Sequence, residues 1–329
     1  MIRIGIPRSL LYYQYSPMWQ TFFEELGAEV VVSPPTTQAM LAEGSARVVA
    51  DTCLPVKVFL GHVLSLVEKC DWIFIPAIRS VRNNIYNCSK FLGLPDMTRA
   101  VIPESPPILD IEIDVNKGKR KLYQAIYRLG SHFTRDPFKI RHASLAASQA
   151  HLNYRESMSS HKLTLPQAIT GTAAAPRIED IAPASHPAST RTTIALIGHP
   201  YLLYDEYVNH RLIQRLEQAD NKVVTPEMLT NQELESGISR LAGKAYWTYE
   251  EEVVGAGGHY LQSGADGVIG IIAFGCGPDS LIMDTVRQQA AKSRTTPFMS
   301  LTLEEHTAET GLITRLEAFV DMIHRKKRK

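Results

Sequence analysis

Three of the four cysteines lie where the chain passes from a strand or loop into a predicted helix. Cys53 precedes a helix whose first turn contains Pro55, Cys88 follows a loop, and Cys276 lies between two glycines ahead of Pro278. A helix N-terminus presents free N–H groups and a partial positive charge, which favour a thiolate. Glycine lets the backbone approach a bulky inorganic group closely. These residue types therefore indicate sites for anionic sulfur.

The number of such thiols restricts the metal chemistry. Structural zinc sites normally use four Cys or His ligands, whereas three thiolates with an open position suit an iron–sulfur cluster that has one substitutable iron. The alternative is that each cysteine is a small buried hydrophobic side chain. Cys70, at the predicted end of a helix, lacks the flanking glycine and proline and fits that alternative.

Two histidines and a glutamate follow predicted strands in the second half of the chain. His199 follows a strand over 193–197, and Glu305 and His306 follow a strand over 298–301. Ligands bind at the carboxyl ends of parallel strands, where an imidazole can donate a proton to a substrate or a hydrogen bond to a cofactor. The alternatives are structural histidines held in loops and a glutamate that caps backbone N–H groups.

Three cations lie near these positions in the sequence. Lys57 and Lys90 follow Cys53 and Cys88 by four and two residues, so their ammonium groups can offset cluster charge or simply be solvated. Arg8 ends the first predicted strand and is a candidate for binding an anionic substrate.

Strand and helix patterns alternate in both halves of the chain. Strands over 2–6, 29–33 and 72–76 alternate with helices over 16–26 and 55–69, and a similar alternation restarts at Thr192. We therefore predict an α/β fold of two Rossmann-like lobes with parallel sheets and an interdomain cleft. The predicted domains are a first lobe over 1–140, a helical extension and linker over 141–191, and a second lobe over 192–329. Ala, Ser, Thr and Pro make up most of residues 157–191, which we expect to be a mobile linker or a long excursion from the fold.

Several motifs resemble those of the 2-hydroxyacyl-CoA dehydratase superfamily, and more closely its activase-related subfamily. In the first half they are Asp51-Thr52-Cys53-Leu54-Pro55-Val56-Lys57 and Cys88-Ser89-Lys90-Phe91-Leu92-Gly93-Leu94-Pro95-Asp96. In the second half they are Gly198-His199-Pro200-Tyr201, Phe274-Gly275-Cys276-Gly277-Pro278-Asp279 and Glu304-Glu305-His306-Thr307. Many relatives have proline after the second cysteine, where this chain has Ser89.

The resemblance implies a [4Fe-4S] cluster that Cys53, Cys88 and Cys276 hold between two Rossmann-like domains. It also implies that an ATP-dependent activator with its own [4Fe-4S] cluster delivers one low-potential electron. The substrate would be a small molecule. The related dehydratases work as paired subunits with a CoA-binding site, of which this sequence shows no separate signature, so a CoA thioester is one open choice of substrate and we expect a homodimer or heterodimer. On this interpretation the protein is a dehydratase-like or reductase-like component in which His199, Glu305 and His306 are the candidate catalytic residues.

Composition excludes other classes of protein. Lys plus Arg number 35 against 34 for Asp plus Glu, a balance that argues against nucleic-acid or anionic-membrane binding. With no signal-peptide pattern and four cysteines in all, we expect a cytoplasmic protein with reduced thiols. A G-x-x-x-x-G-K-[ST] loop is absent, and Gly255-Ala256-Gly257-Gly258 is interpreted as a helix breaker or turn. We therefore predict no intrinsic ATPase activity.

Two other functions stay open on the sequence alone. The chain is alternatively a non-catalytic electron carrier or cluster scaffold for a partner enzyme, or a two-lobed ligand-binding module whose cysteines are only buried.

Overall fold

The computed structural model describes residues 1–173, 191–243, 245–262, 264–293 and 296–327. The chain divides into two compact units. The first unit comprises Met1–Arg155 and Ala245–Glu250, and the second unit comprises Glu156–Lys244 and Glu251–Lys329.

The first unit is built on parallel strands. The strands are β1 (Arg3–Ile6), β2 (Glu29–Val32), β3 (Trp72–Phe74), β4 (Ala77–Ser80), β5 (Ile108–Leu109) and β6 (Glu112–Asp114). The helices are α1 (Tyr12–Glu25), α2 (Gln38–Ser45), α3 (Leu54–Leu66), α4 (Ser89–Val101), α5 (Lys119–Gly130) and α6 (Pro137–His161). The last six residues of α6 belong to the second unit. One parallel sheet has the order β2-β1-β3-β5, and β4 pairs with β6 in a second, also parallel. This arrangement confirms the predicted α/β class with parallel sheets.

Strand β1 lies inside its sheet, between β2 and β3, and its residues after Arg3 are buried. Ile4 and Ile6 are almost fully buried. A Cβ on Gly5 would lie 2.6 Å from Sγ of Cys70, so only glycine lets the segment after α3 pack this closely on the strand. The Cys70 thiol also donates to the carbonyl of Leu66, at 3.4 Å, and burial raises the pKa of this thiol. Cys70 is therefore a packing residue.

Helices α2 and α3 contact each other backbone to backbone. A Cβ on Gly61 would lie 2.0 Å from the carbonyl oxygen of Met40, and one on Gly44 would lie 2.0 Å from that of Lys57. The two glycines face each other's helices and allow this approach. Because α3 begins immediately after Cys53, the contact also fixes the direction of the helix that carries Cys53 at its N-terminus.

The second unit contains a four-stranded parallel sheet in the order β10-β9-β7-β8. Its strands are β7 (Thr192–Ile197), β8 (Asn221–Val224), β9 (Gly267–Ala273) and β10 (Phe298–Leu303). Its helices are α7 (Leu165–Ala173), α8 (Pro200–Leu203), α9 (Leu212–Gln218), α10 (Asn231–Leu241), α11 (Thr248–Tyr260), α12 (Gly277–Ser293) and α13 (Glu309–Lys327). The first three residues of α11 belong to the first unit. Strands β7 and β9 are neighbours and are buried along most of their length.

The glycine-rich segment of the second unit is helical. The interpretation of residues 255–258 as a helix breaker or turn is wrong, because they lie inside α11. A Cβ on Gly237 of α10 would lie 1.9 Å from the carbonyl oxygen of Gly255, and one on Gly258 would lie 2.4 Å from that of Gly237. These glycines permit close packing of two helices, and tertiary contact here outweighs their low helix propensity.

Two predicted helix boundaries shift for a local backbone reason. The sequence pattern over 207–218 predicts a helix, but α9 begins only at Leu212, because His210 and Arg211 adopt left-handed conformations with φ of 54° and 57°. The helix predicted to reach Lys69 ends at Leu66, and Glu68 has a φ of 66°. A left-handed residue cannot continue an α-helix.

The predicted linker over 157–191 is partly ordered into helices. Residues 157–161 end α6 and Leu165–Ala173 form α7, in which Leu165 and Ala168 are buried. Residues 174–190 of this segment lie outside the described residues. Within the described part of the chain, no helix is both long enough and apolar enough to cross a membrane.

Candidate functional site

Cys53 occupies the N-cap of α3. Its backbone is extended, with φ of −62° and ψ of 144°, and its carbonyl oxygen accepts the N–H of Val56 at 3.0 Å. The residue is 9% exposed, and its side chain makes no capping hydrogen bond to the helix. Pro55 in the first turn removes an N–H that would have no partner there. The sulfur thus lies at the positive end of a buried helix.

Cys88 has the same position at the start of α4. Its backbone is extended, with φ of −53° and ψ of 139°, and its carbonyl oxygen accepts the N–H of Phe91 at 2.9 Å. This side chain too makes no capping bond, and it is partly exposed. The prediction that both cysteines precede helices is therefore confirmed.

A lysine of α4 joins the two helix starts. The ammonium of Lys90, two residues after Cys88, donates to Sγ of Cys53 at 3.3 Å. The first unit therefore places Cys53 and the first turn of α4 within reach of a single side chain. Negative charge on the Cys53 sulfur would be offset by a cation at contact distance.

Lys57 supports the turn ahead of Cys53. The side chain is 5% exposed, and its ammonium donates to the carbonyl oxygen of Ala50 at 2.9 Å. The structure thus brings this cation into the packed start of α3, where it holds the backbone that leads to Cys53.

A buried network lies at the carboxyl ends of β1 and β2. Nδ1 of His62 is 2.8 Å from Oγ of Ser33, and Nε2 is 2.8 Å from Oγ1 of Thr36. The backbone N–H of Arg8 donates to the same serine oxygen at 2.8 Å. Burial, and then the guanidinium of Arg8, lower the pKa of His62 to about 3, so this imidazole is neutral at physiological pH. The guanidinium of Arg8 makes no hydrogen bond or ion pair with any residue that the structure describes.

Cys276 lies at the corresponding position of the second unit, between β9 and α12. Its carbonyl oxygen accepts the N–H of Ser280 at 3.2 Å, the first hydrogen bond of α12, and its own N–H donates to the carbonyl of Ala273 at 3.1 Å. Gly275 has a φ of 77°, a conformation that glycine adopts without steric cost. The Cys276 side chain is partly exposed.

His199 lies beside the Cys276 turn, at the N-cap of α8, and is buried. Its Nε2 is 2.9 Å from Oδ1 of Asp279, and its Nδ1 contacts the hydroxyl of Tyr201. His199 and Asp279 are each 4% exposed. Both ring nitrogens of His199 therefore face protein groups.

Glu305 and His306 lie in the turn between β10 and α13. Nε2 of His306 is 3.5 Å from Oε1 of Glu305, and the His306 side chain is 83% exposed. The turn is closed by the N–H of Glu304, which donates to Oγ1 of Thr307 at 2.7 Å. The imidazole of His306 is therefore exposed to solvent and lies next to the Glu305 carboxylate.

No group of three or more His, Cys, Asp or Glu side chains within the described ranges is arranged to hold a metal ion. Cys53 and Cys88 belong to the first unit, and Cys276, His199, Glu305 and His306 belong to the second. The proposed ligands and catalytic residues are thus distributed over both units.

Sequence reasoning assigned no role to three residues of these sites. Asp279 and Tyr201 are contained in the quoted motifs, and an acidic residue in the first turn of a helix is a recognisable signal for Asp279. Ser33 follows β2 with no comparable signal, because its contact with His62 joins residues 29 positions apart.

A comparison with protein-family models assigns most of the chain to a known family. The family described as "CoA enzyme activase uncharacterised domain (DUF2229)" matches residues 3–229, more than half of the chain. The chain belongs to this family. It is thereby placed in the 2-hydroxyacyl-CoA dehydratase and activase-related family, as the motifs predicted. A search of curated proteins finds no match. The family match includes Cys53, Cys88 and His199, whereas Cys276 and the Glu305-His306 turn follow it in the chain.

Proposed function

We propose that this activase-related protein binds a [4Fe-4S] cluster through the thiolates of Cys53, Cys88 and Cys276. It would use the cluster for low-potential one-electron reduction or dehydration of a small substrate. An ATP-dependent activator with its own cluster would deliver the electron. The contact between Lys90 and Cys53 carries the proposal, since it places a cation against a cysteine sulfur that lies at a helix N-terminus.

The surroundings of the cysteines fit a cluster in their chemistry. All three candidate ligands precede a helix, so each sulfur lies near N–H groups that stabilise anionic sulfur. Cys70 differs in being packed against Gly5 and bonded to a carbonyl oxygen. Three thiolates would leave one iron open, and such an iron supplies low-potential electron transfer and a binding site for a substrate oxygen.

The remaining polar groups would bind the substrate and move its proton. The exposed imidazole of His306, beside Glu305, is accessible to donate a proton. The half-buried guanidinium of Arg8 lies at the carboxyl edge of the first sheet, where it would attract an anionic group of the substrate. A neutral His62 nearby adds no competing positive charge.

The connection between β1 and α1 favours the electron-receiving role over ATP hydrolysis. A phosphate loop needs free backbone N–H groups in this connection. Here the N–H of Arg8 donates to Ser33, and the N–H of Ser9 donates to the carbonyl of Pro7 at 2.8 Å. Residues 7–11 also contain no glycine. We therefore expect no phosphate release from ATP by the pure chain, which a phosphate-release assay measures.

Anaerobic purification followed by iron and sulfide analysis tests the cluster. We expect about four iron and four sulfide per chain, the composition of a [4Fe-4S] cluster. Replacement of Cys53, Cys88 or Cys276 by alanine should abolish cluster retention, whereas Cys70→Ala is the matched control and should retain it. Full iron content in any of the first three variants would refute the ligand assignment.

Spectroscopy with substrates separates an enzyme from an electron carrier. If the open iron binds substrate, a 2-hydroxyacyl-CoA thioester should change the electron paramagnetic resonance spectrum of the reduced protein. A spectrum unchanged by such thioesters, in a protein that still accepts an electron, would instead identify a carrier or scaffold.

A further inference from the structure

The second unit contains three buried polar side chains that contact one another in series. Tyr201, His199 and Asp279 are 8%, 4% and 4% exposed. They lie at the carboxyl ends of two neighbouring parallel strands. His199 comes just after β7, and Asp279 lies in the first turn of α12, the helix that follows β9. Burying three polar groups is unfavourable unless they satisfy one another.

The backbone brings the two strand ends together at this point. A Cβ on Gly198 would lie 2.8 Å from the carbonyl oxygen of Ile271, so glycine permits β7 to approach β9 just before His199. The 2.9 Å contact between His199 and Asp279 follows from this approach.

The contacts of His199 follow from what each partner can donate or accept. A carboxylate only accepts, so the 2.9 Å approach of Nε2 to Asp279 is favourable when Nε2 carries a proton. Nδ1 contacts the hydroxyl of Tyr201, a group that can donate to or accept from a ring nitrogen. Tyr201 thus orients His199, and His199 orients Asp279.

Asp279 in turn forms a hydrogen bond with the backbone of the turn that carries Cys276. Its Oδ2 accepts the N–H of Ala273, the last residue of β9, at 3.3 Å. Cys276 is bonded to the same residue through its own N–H, and its carbonyl oxygen accepts the N–H and the hydroxyl of Ser280. The carboxylate therefore closes the turn from the strand to the helix, with Cys276 at its centre.

We infer that Tyr201, His199 and Asp279 are positioning residues that fix the direction in which Cys276 presents its sulfur. Both ring nitrogens of His199 contact these two partners. His199 therefore influences the position of the Cys276 sulfur indirectly, through Asp279. The three residues would orient the turn whether or not a cluster is bound. That this orientation helps Cys276 to bind a cluster rests on the proposed function.

Cysteine alkylation in the metal-free full chain tests this inference. The variants are Asp279→Asn and Tyr201→Phe, with Asp284→Asn on the same helix and Tyr207→Phe as matched controls. The measurement is the iodoacetamide reaction rate of each cysteine, read by peptide mass spectrometry. Loss of one hydrogen bond that closes the turn should raise the Cys276 rate about tenfold in Asp279→Asn. Tyr201→Phe, which changes no charge, should raise it about threefold. The Cys53 rate should stay within twofold, as should all rates in the controls.

Two results would overturn the inference. One is a Cys276 rate that is unchanged in both variants. The other is an equal increase at all cysteines, which would assign the three residues a general structural role. In protein reconstituted with iron and sulfide, Tyr201→Phe should also shift the electron paramagnetic resonance spectrum while Tyr207→Phe leaves it as in the wild type. Failure of the native protein to bind a cluster would refute the proposed function and leave the alkylation result standing.

Discussion

The substitution Gly61→Ala tests the backbone contact that orients α3. The new methyl group would lie 2.0 Å from the carbonyl oxygen and 2.6 Å from the carbonyl carbon of Met40. Both atoms are backbone, so no side-chain rotation can relieve the clash. Helices α2 and α3 would have to separate by about 1.5 Å to reach ordinary van der Waals contact.

The size of the effect follows from two opposing contributions. Overpacking at a rigid contact costs about 3 kcal/mol, the upper part of the usual range, and alanine returns about 1 kcal/mol of helix propensity. We therefore expect a loss of about 2 kcal/mol in the free energy of unfolding. For a unit of this size the melting temperature should fall by roughly 4–8 °C.

Gly93→Ala is the matched control. Gly93 lies inside α4, where an added Cβ would have no atom within 4 Å, so only the propensity gain of about 1 kcal/mol should remain. Melting temperatures of the wild type and both variants, measured by far-ultraviolet circular dichroism, should therefore rank Gly93→Ala above wild type and Gly61→Ala below it. Equal melting temperatures for the two variants would refute the close α2–α3 contact.

Two further predictions concern pH. Because the pKa of His62 is about 3 in the folded protein and 6.5 in the unfolded chain, the unfolded state binds the extra proton, and stability should fall as pH decreases from about 6.5 towards 3. Urea unfolding at several pH values gives the slope of the unfolding free energy against pH. In His62→Gln this slope should be lower than in the wild type by up to about 1.4 kcal/mol per pH unit. In His142→Gln, an exposed control, the slope should equal that of the wild type. For Glu227 the sign is reversed: burial, and then the Glu252 carboxylate, raise its pKa to about 8, so stability should fall as pH rises from about 4.5 to 8. Glu227→Gln should remove that decline while the exposed control Glu235→Gln keeps it; an unchanged decline in Glu227→Gln would contradict the assignment.

Local patterns in the sequence predicted the parts of the fold that depend on short-range chemistry. The apolar run at Arg3–Ile6 is a strand, and Cys53 and Cys88 both precede helices, as proline, turn and periodicity signals indicated. Such signals lie within a few residues of the feature that they predict. The α/β class follows from them, because parallel strands alternate with helices in both units.

Contacts between distant residues could not be predicted in this way. The Lys90–Cys53 contact spans 37 residues, and His199 meets Asp279 only because β7 and β9 are neighbours. Residues 255–258 have the local composition of a turn, but α11 is helical there since Gly237 on α10 packs against it. Tertiary packing decided these features, and no single-residue propensity encodes them.

The cysteine caps of α3 and α4 have a thermodynamic consequence. Serine or aspartate at a helix start would bond the first-turn amides, but here neither thiol does. An anionic ligand that accepted hydrogen bonds from those amides, and bound only the native state, would stabilise both helices by its binding free energy. At a concentration of 100 times the dissociation constant this gain is about 2.7 kcal/mol. The melting temperature of the protein should therefore rise with the fraction of molecules that carry the anionic ligand, and it can be measured before any activity is assayed.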